Sequence, residues 1–174
     1  MRGQRVLRTI ALLLLGIWLG AAIFFSAAVA PNVFAVLRGA GLADANSVAG
    51  SIITRLLAIV NHGGFEVSVF LLVISYFTTF GQAKWVRISG MISLAIMAIM
   101  TGVGQWVISA RMAALRASMQ LPIDQIAAGD PRRIEFSSLH RYSVIFLAVA
   151  MCSGLAAFIL TGMRPTRITT DTSP

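Results

Sequence analysis

The chain has 174 residues, 57% of them hydrophobic and 11% charged, with a formal net charge of +8. Soluble domains carry about 45–50% apolar and about 25% charged residues, so this composition argues against a soluble enzyme and for a protein whose solvent is lipid. The basic residues border apolar runs instead of forming a stripe, so the expected contact is the bilayer and its headgroups, with no nucleic-acid partner.

Four uncharged runs cover residues 9–37, 67–83, 88–110 and 142–163. A helix rising 1.5 Å per residue needs ~20 residues to cross a ~30 Å hydrocarbon core, and each run approaches or exceeds that. The expected fold is all-α, an integral membrane four-helix bundle in a single domain over 1–174. Its helices are expected at approximately 7–37, 47–80, 87–119 and 131–162, with a short polar tail over 164–174.

The first helix follows Arg2, Arg5 and Arg8. That basic start, with Ala28-Val29-Ala30 after the apolar stretch, also imitates a signal peptide. The apolar run is longer than the 7–15 residues of a signal core, however, and Pro31 would follow the scissile bond, so a retained helix is expected. Gly16 and Gly20 give a small-x-x-x-small spacing suited to close helix contact, within the chain more often than between chains. Pro31 and the 39–41 Gly-Ala-Gly stretch are expected to end or kink this helix. Asp44, Asn46 and Ser47 are available to cap the next.

The second helix joins 56–65 to the run beginning at Val67 through Glu66. Arg55, His62 and Glu66 are seven and four residues apart, which places them on one helix face, with Asn61 beside them. Gly63 and Gly64 thin the helix at the same level and permit a close neighbour. Gly81 and the residues from Lys84 to Arg87 mark the turn into the third helix, where Trp85 is placed as an interfacial anchor. Arg111, Met112, Leu115, Arg116 and Met119 keep helical spacing and prolong that helix beyond the membrane until Pro122. Asp130-Pro131 is an N-cap and first-turn start for the fourth helix, whose early turns carry Ser137, His140 and Ser143 at intervals of three. Cys152, the single cysteine, lies inside an apolar run and reads as a small packing residue.

An ionisable group at bilayer depth costs at least ~2.5–3.5 kcal/mol on insertion scales, so such residues are functional suspects. The plainest reading is a satisfied polar network of Arg55, Asn61, His62, Glu66, Ser137, His140 and Ser143. In it Glu66 pairs with Arg55, with His62 or with an arginine of the third connection, fixing helix register. A second reading makes His62 and His140 paired ligands for haem iron or copper, since both fall at similar depth when counted along helices. A third places a proton or solute path at Glu66. Catalysis by Ser137 or Ser143 with His140 lacks an orienting acid and an oxyanion hole.

Three ordered stretches carry a family resemblance. They are Trp18-Leu19-Gly20 with Phe24-Phe25 and Val29-Ala30-Pro31-Asn32-Val33-Phe34; then Ile108-Ser109-Ala110-Arg111-Met112-Ala113-Ala114-Leu115-Arg116; then Phe136-Ser137-Ser138-Leu139-His140-Arg141-Tyr142-Ser143. From Leu7 to about Thr161 the chain resembles the bacterial membrane family called domain of unknown function 4149, similar to transmembrane protein 205. The resemblance implies a four-helix membrane protein and brings no reaction with it.

The expectation is therefore a non-catalytic bacterial inner-membrane protein acting as an accessory or scaffold subunit, in contact with lipid and with other membrane subunits or copies of itself. Basic residues divide seven against seven between the two sides. The three arginines before the first helix outweigh Arg38 after it, which favours cytoplasmic termini.

Overall fold

The computed structural model describes residues 2–42, 44–77, 83–119 and 123–163; the side chains of Arg2 and Asp124 are outside the description. The expected tail over 164–174, the final turn of the second helix at 78–80, Gly81 and Pro122 also lie outside the described residues. Among the described residues there are four long helices and no strand: α1 (Gly3–Gly39), α2 (Ala45–Phe77), α3 (Lys84–Ser118) and α4 (Pro131–Gly162). Each is long and apolar enough to cross a membrane. At 1.5 Å per residue the shortest, of 32 residues, runs about 48 Å, well beyond a ~30 Å core, so the helix ends reach into or past the headgroups.

The helices run alternately up and down. Each packs on its neighbours in the chain, and α1 also packs on α4, closing a four-membered ring. The outside is apolar: Ile17 and Ile59 are each 70% exposed and Phe77 78%. Lipid tails are as apolar as leucine, so the ring is held by close packing of small residues and not by removal of apolar surface from water. Ala22, Ala49, Ala150 and Ala157 accordingly fill the interior beside Leu15 and Met97.

Trp18 of α1 is the centre of that interior. It is 5% exposed, and its indole Nε1–H donates to the Val60 carbonyl of α2 at 2.9 Å. Two glycines make room for the ring. A Cβ on Gly64 of α2 would lie 2.6 Å from the indole nitrogen and 2.8 Å from Thr101 Cγ2 of α3. A Cβ on Gly154 of α4 would lie 2.9 Å from the other end of the ring. One tryptophan thus joins α1 to α2 and α4, with Thr101 of α3 against the same glycine of α2, and the two glycines set the helix separation. Thr101, also buried, returns its hydroxyl to the carbonyls of Met97 and Ala98 at 2.8 and 3.2 Å, leaving no loose polar group beside the indole.

Pro31 does not end α1. The helix widens to a π-turn over Phe25–Val29, where the Ala30 N–H reaches the Phe25 carbonyl, and then continues to Gly39. The extra residue in that turn accommodates the ring and missing N–H of proline. The chain leaves α1 at Gly41, whose φ of +68° is the left-handed conformation that glycine adopts without steric cost. A second π-turn, Gly104–Ser109, interrupts α3 without a proline.

Charged side chains close the ends of the helices. Arg8 of α1 donates from Nε to the Thr161 carbonyl at 2.8 Å and from Nη2 to the Gly162 and Met163 carbonyls, the latter at 3.0 Å. It thereby meets unpaired C-terminal carbonyls of α4 and its negative dipole end. At the opposite end of α4, Asp130 caps the helix by accepting from the Arg132 N–H at 2.8 Å, with Pro131 in the first turn. The Arg132 guanidinium and this backbone bond hold the Asp130 carboxyl below the usual carboxylate range. A lowered folded pKa contributes stability above the unfolded value, about 4, and loses it as pH falls through the folded value. Melting temperature should therefore fall more between pH 6 and pH 3 for the natural chain than for Asp130→Asn, which keeps the cap but does not titrate. Equal acid sensitivity would remove this assignment.

Candidate functional site

The face predicted for Arg55, His62 and Glu66 exists, and it points away from the bundle. All three are exposed, on an outer ridge of α2 that also carries Ile59. His62 Nδ1 lies 2.7 Å from the carbonyl of Ala58 one turn earlier, and its ring meets the Trp106 ring of α3 edge-on at 5.5 Å. Glu66, eleven residues before the end of α2 at Phe77, stands about 16 Å along the axis from that end. Because the helix ends overrun the core, the better reference is the helix midpoint, from which Glu66 is about 8 Å, inside a ~30 Å core centred on the helix. Neither Arg55 nor His62 pairs with it. The ion pairs among the described residues are Arg111–Glu135 at 2.7 Å and Arg132–Asp130 at 2.9 Å, both at the end of the bundle where α3 closes and α4 begins.

The expected single polar network is divided among three places. Asn61 faces inward, 3% exposed, towards Gly104, where the second π-turn opens α3 and where a Cβ would lie 3.5 Å from the Asn61 amide nitrogen. In the same turn Gln105 Oε1 is buried without a hydrogen-bond partner. Ser143 is buried and the exposed His140 stands near it on the wall of an open-sided cavity, while Ser137 is exposed and does not line that cavity. The two histidines therefore belong to different surfaces, His62 to the outer seam of α2 and α3 and His140 to the cavity, and they do not form one ligand pair. Among the described residues no three His, Cys, Asp or Glu side chains come together as a metal-binding group. Glu66 does not line the cavity.

The glycines separate in the same way. Gly64 is the close-approach position, whereas a Cβ on Gly63 would lie at an ordinary 3.9 Å from Trp18. A Cβ on Gly16 would lie 3.6 Å from Phe158 of α4. Gly20 is exposed with nothing within 4 Å of its would-be Cβ, so the two do not act as a pair. Trp85 and Trp106 are largely exposed, in contrast to Trp18.

The cavity itself was missed by sequence reasoning. It measures about 1040 Å³ and lies at the end of the bundle that holds the α1–α2 and α3–α4 connections, with walls from all four helices. Its most polar wall is Arg116, assigned from sequence to a helix extension beyond the membrane. The helix does extend to Ser118, and on that extension Arg116 turns into the cavity, donating from Nη1 to Thr54 Oγ1 at 2.8 Å and stacking 5.0 Å over the Phe136 ring. Gly50 gives it passage, since a Cβ there would meet Nη2 at 3.2 Å. The available signal was the register: Met112, Arg116 and Met119 share one face, and Met112 is buried.

Comparison with known protein families gives a match over residues 13–120, more than half of the chain, to the family described as Domain of unknown function (DUF4149). Comparison with curated proteins and with solved structures returns no match.

Proposed function

We propose that this chain, which belongs to the DUF4149 family, is a non-catalytic accessory or scaffold subunit that docks in a membrane assembly through the outer ridge of α2. One observation carries the reading: Glu66 is exposed on an apolar, membrane-length helix, within the span, and has no ion-pair partner among the described residues. Exposure of an ionised carboxylate to hydrocarbon costs several kcal/mol, which a neighbouring helix offsets by presenting a cation or hydrogen-bond donors. His62, one turn away and braced by Trp106, adds a second polar group to the same patch. The surrounding ridge is apolar, as a helix–helix contact in lipid requires.

The assembly is proposed to lie in a bacterial inner membrane with both termini cytoplasmic, on the charge bias around α1. The natural chain, extracted from its own membrane in mild detergent, should co-purify with a reproducible set of membrane proteins or as an oligomer. Glu66→Leu should lose that association. A monodisperse lone chain, identical for both forms, would refute the proposal.

A further inference from the structure

The open-sided cavity lies on the opposite face of α2 from the Glu66 ridge, and its chemistry is graded. At the connection end it is polar and cationic, with Arg38 of α1, Arg116 of α3 and His140 of α4. Along α2 the lining passes from Asn46, Ser47 and Thr54 to Leu57; along α4 it passes from His140 and Ser143 to Leu147 and Met151. From His140 to Met151 is about 16 Å of helix, close to the ~15 Å depth of one leaflet of a ~30 Å core. The volume, about 1040 Å³, is at the upper end of the ~300–1,000 Å³ typical of small-molecule sites.

Among the described residues no carboxylate lines the cavity. Two acids of the same end are engaged elsewhere, Glu135 with Arg111 and Asp130 with Arg132, and Asp44 is exposed and outside the lining. Arg38 donates from Nε to the neutral Asn46 Oδ1 at 2.8 Å, and Arg116 donates to the neutral Thr54 hydroxyl. A guanidinium has five N–H donors, so each arginine keeps donors and its full charge for an anion. Half-burial of Arg116 among helices, with no counter-ion supplied by the described residues, is a costly arrangement that an anionic ligand relieves.

The geometry points to a binding site for one anionic membrane phospholipid, its phosphate held by Arg116 and Arg38 and an acyl chain lying between Leu57, Leu147 and Met151. The position suits such a ligand: the polar end is level with the helix connections, where headgroups are, and the apolar end is level with the tails. Charge selects the anionic lipid over a zwitterionic one, and the apolar end selects a lipid over a free anion.

The full chain in mild non-ionic detergent is titrated with phosphatidylglycerol or with phosphatidylcholine of the same acyl chains, and bound lipid is read by native mass spectrometry. One phosphatidylglycerol per chain should bind about tenfold or more tightly than phosphatidylcholine, the scale of one charge-assisted hydrogen bond. Arg116→Gln should abolish that preference, Arg116→Lys should keep most of it, and Leu147→Trp should reduce binding of both lipids by filling the apolar end. If Arg116→Gln does not accumulate in folded form, Arg38→Gln carries the same test from the α1 wall. Equal binding of the two lipids, or an unchanged preference after loss of the arginine charge, would overturn the site. Displacement of the lipid by an equal concentration of inorganic phosphate would also overturn it, leaving an anion site only. None of these readouts depends on the α2 ridge, so the two proposals stand or fall separately.

Discussion

Replacing Gly64 by alanine should unfold the bundle at markedly lower temperature, although the change adds a single methyl group to an apolar helix and raises intrinsic helix propensity. The new Cβ would stand 2.6 Å from the Trp18 indole nitrogen and 2.8 Å from both Trp18 Cε2 and Thr101 Cγ2. These are not flexible ends that swing aside: the indole is pinned by its bond to Val60 and by Gly154 behind it, and Thr101 is fully packed. Overpacking of a tight core costs about 1–3 kcal/mol, and here α1, α2 and α3 are all pushed by one contact. Trp18→Ala should do at least comparable damage by the opposite route, about 3–5 kcal/mol for an emptied aromatic site, with the Val60 carbonyl losing its donor.

The pair gives an internal check. In Gly64→Ala with Trp18→Phe the smaller ring relieves the clash, so the double variant should be less destabilised than the sum of the two, by roughly 1 kcal/mol or more. Gly20→Ala, with nothing within 4 Å of its new methyl, should be neutral or slightly stabilising. Thermal unfolding in detergent followed by circular dichroism reads all of these. Additive losses at Gly64 and Trp18, or a Gly20→Ala loss equal to that of Gly64→Ala, would contradict the packing described.

Glu66→Leu should have the contrary profile. The carboxylate faces outward both in the bundle and on a separated inserted α2, so its removal leaves helix association within the chain almost untouched, and the melting temperature should hardly move. The gain falls on insertion, where a central charge costs ~2.5–3.5 kcal/mol. The loss falls on the partner. Truncating one member of a desolvated, hydrogen-bonded charge pair costs 2–5 kcal/mol, so affinity for the partner should drop at least ~30-fold. Gly64→Ala and Glu66→Leu lie two residues apart and should separate cleanly, one acting on the bundle and the other on its neighbours. A Glu66→Leu chain that unfolds early would mean that the carboxylate is an internal contact.

The sequence made some of this legible and hid the rest for physical reasons. Membrane helices show in composition because every residue of a span must suit hydrocarbon, which is why four spans could be counted from apolar runs alone. The common face of Arg55, His62 and Glu66 follows from helical period. Its direction does not, because in lipid the outside of a helix is as apolar as the inside, and the contrast that orients a soluble amphipathic helix is missing. The expectation of an internal network failed at that point. Gly63 and Gly64 were equivalent in sequence, and only the position of Trp18, forty-six residues before Gly64, distinguishes them. Pro31 signalled an interruption of α1, but whether the helix ends or widens depends on the packing around it, which favoured a π-turn. The cavity joins Arg38, Thr54, Arg116 and His140 from four helices, a grouping that local spacing does not contain.

The central claim is that the outward ridge of α2 is covered by another protein. It is tested most directly by placing a photo-cross-linking amino acid at Ile59, which is exposed on that ridge, and separately at Leu155, which is exposed on α4. Irradiation of intact native membranes should give a discrete protein adduct from position 59, lost when Glu66→Leu is added, and only lipid adducts from position 155. Lipid adducts alone from position 59, with or without Glu66, would contradict the account.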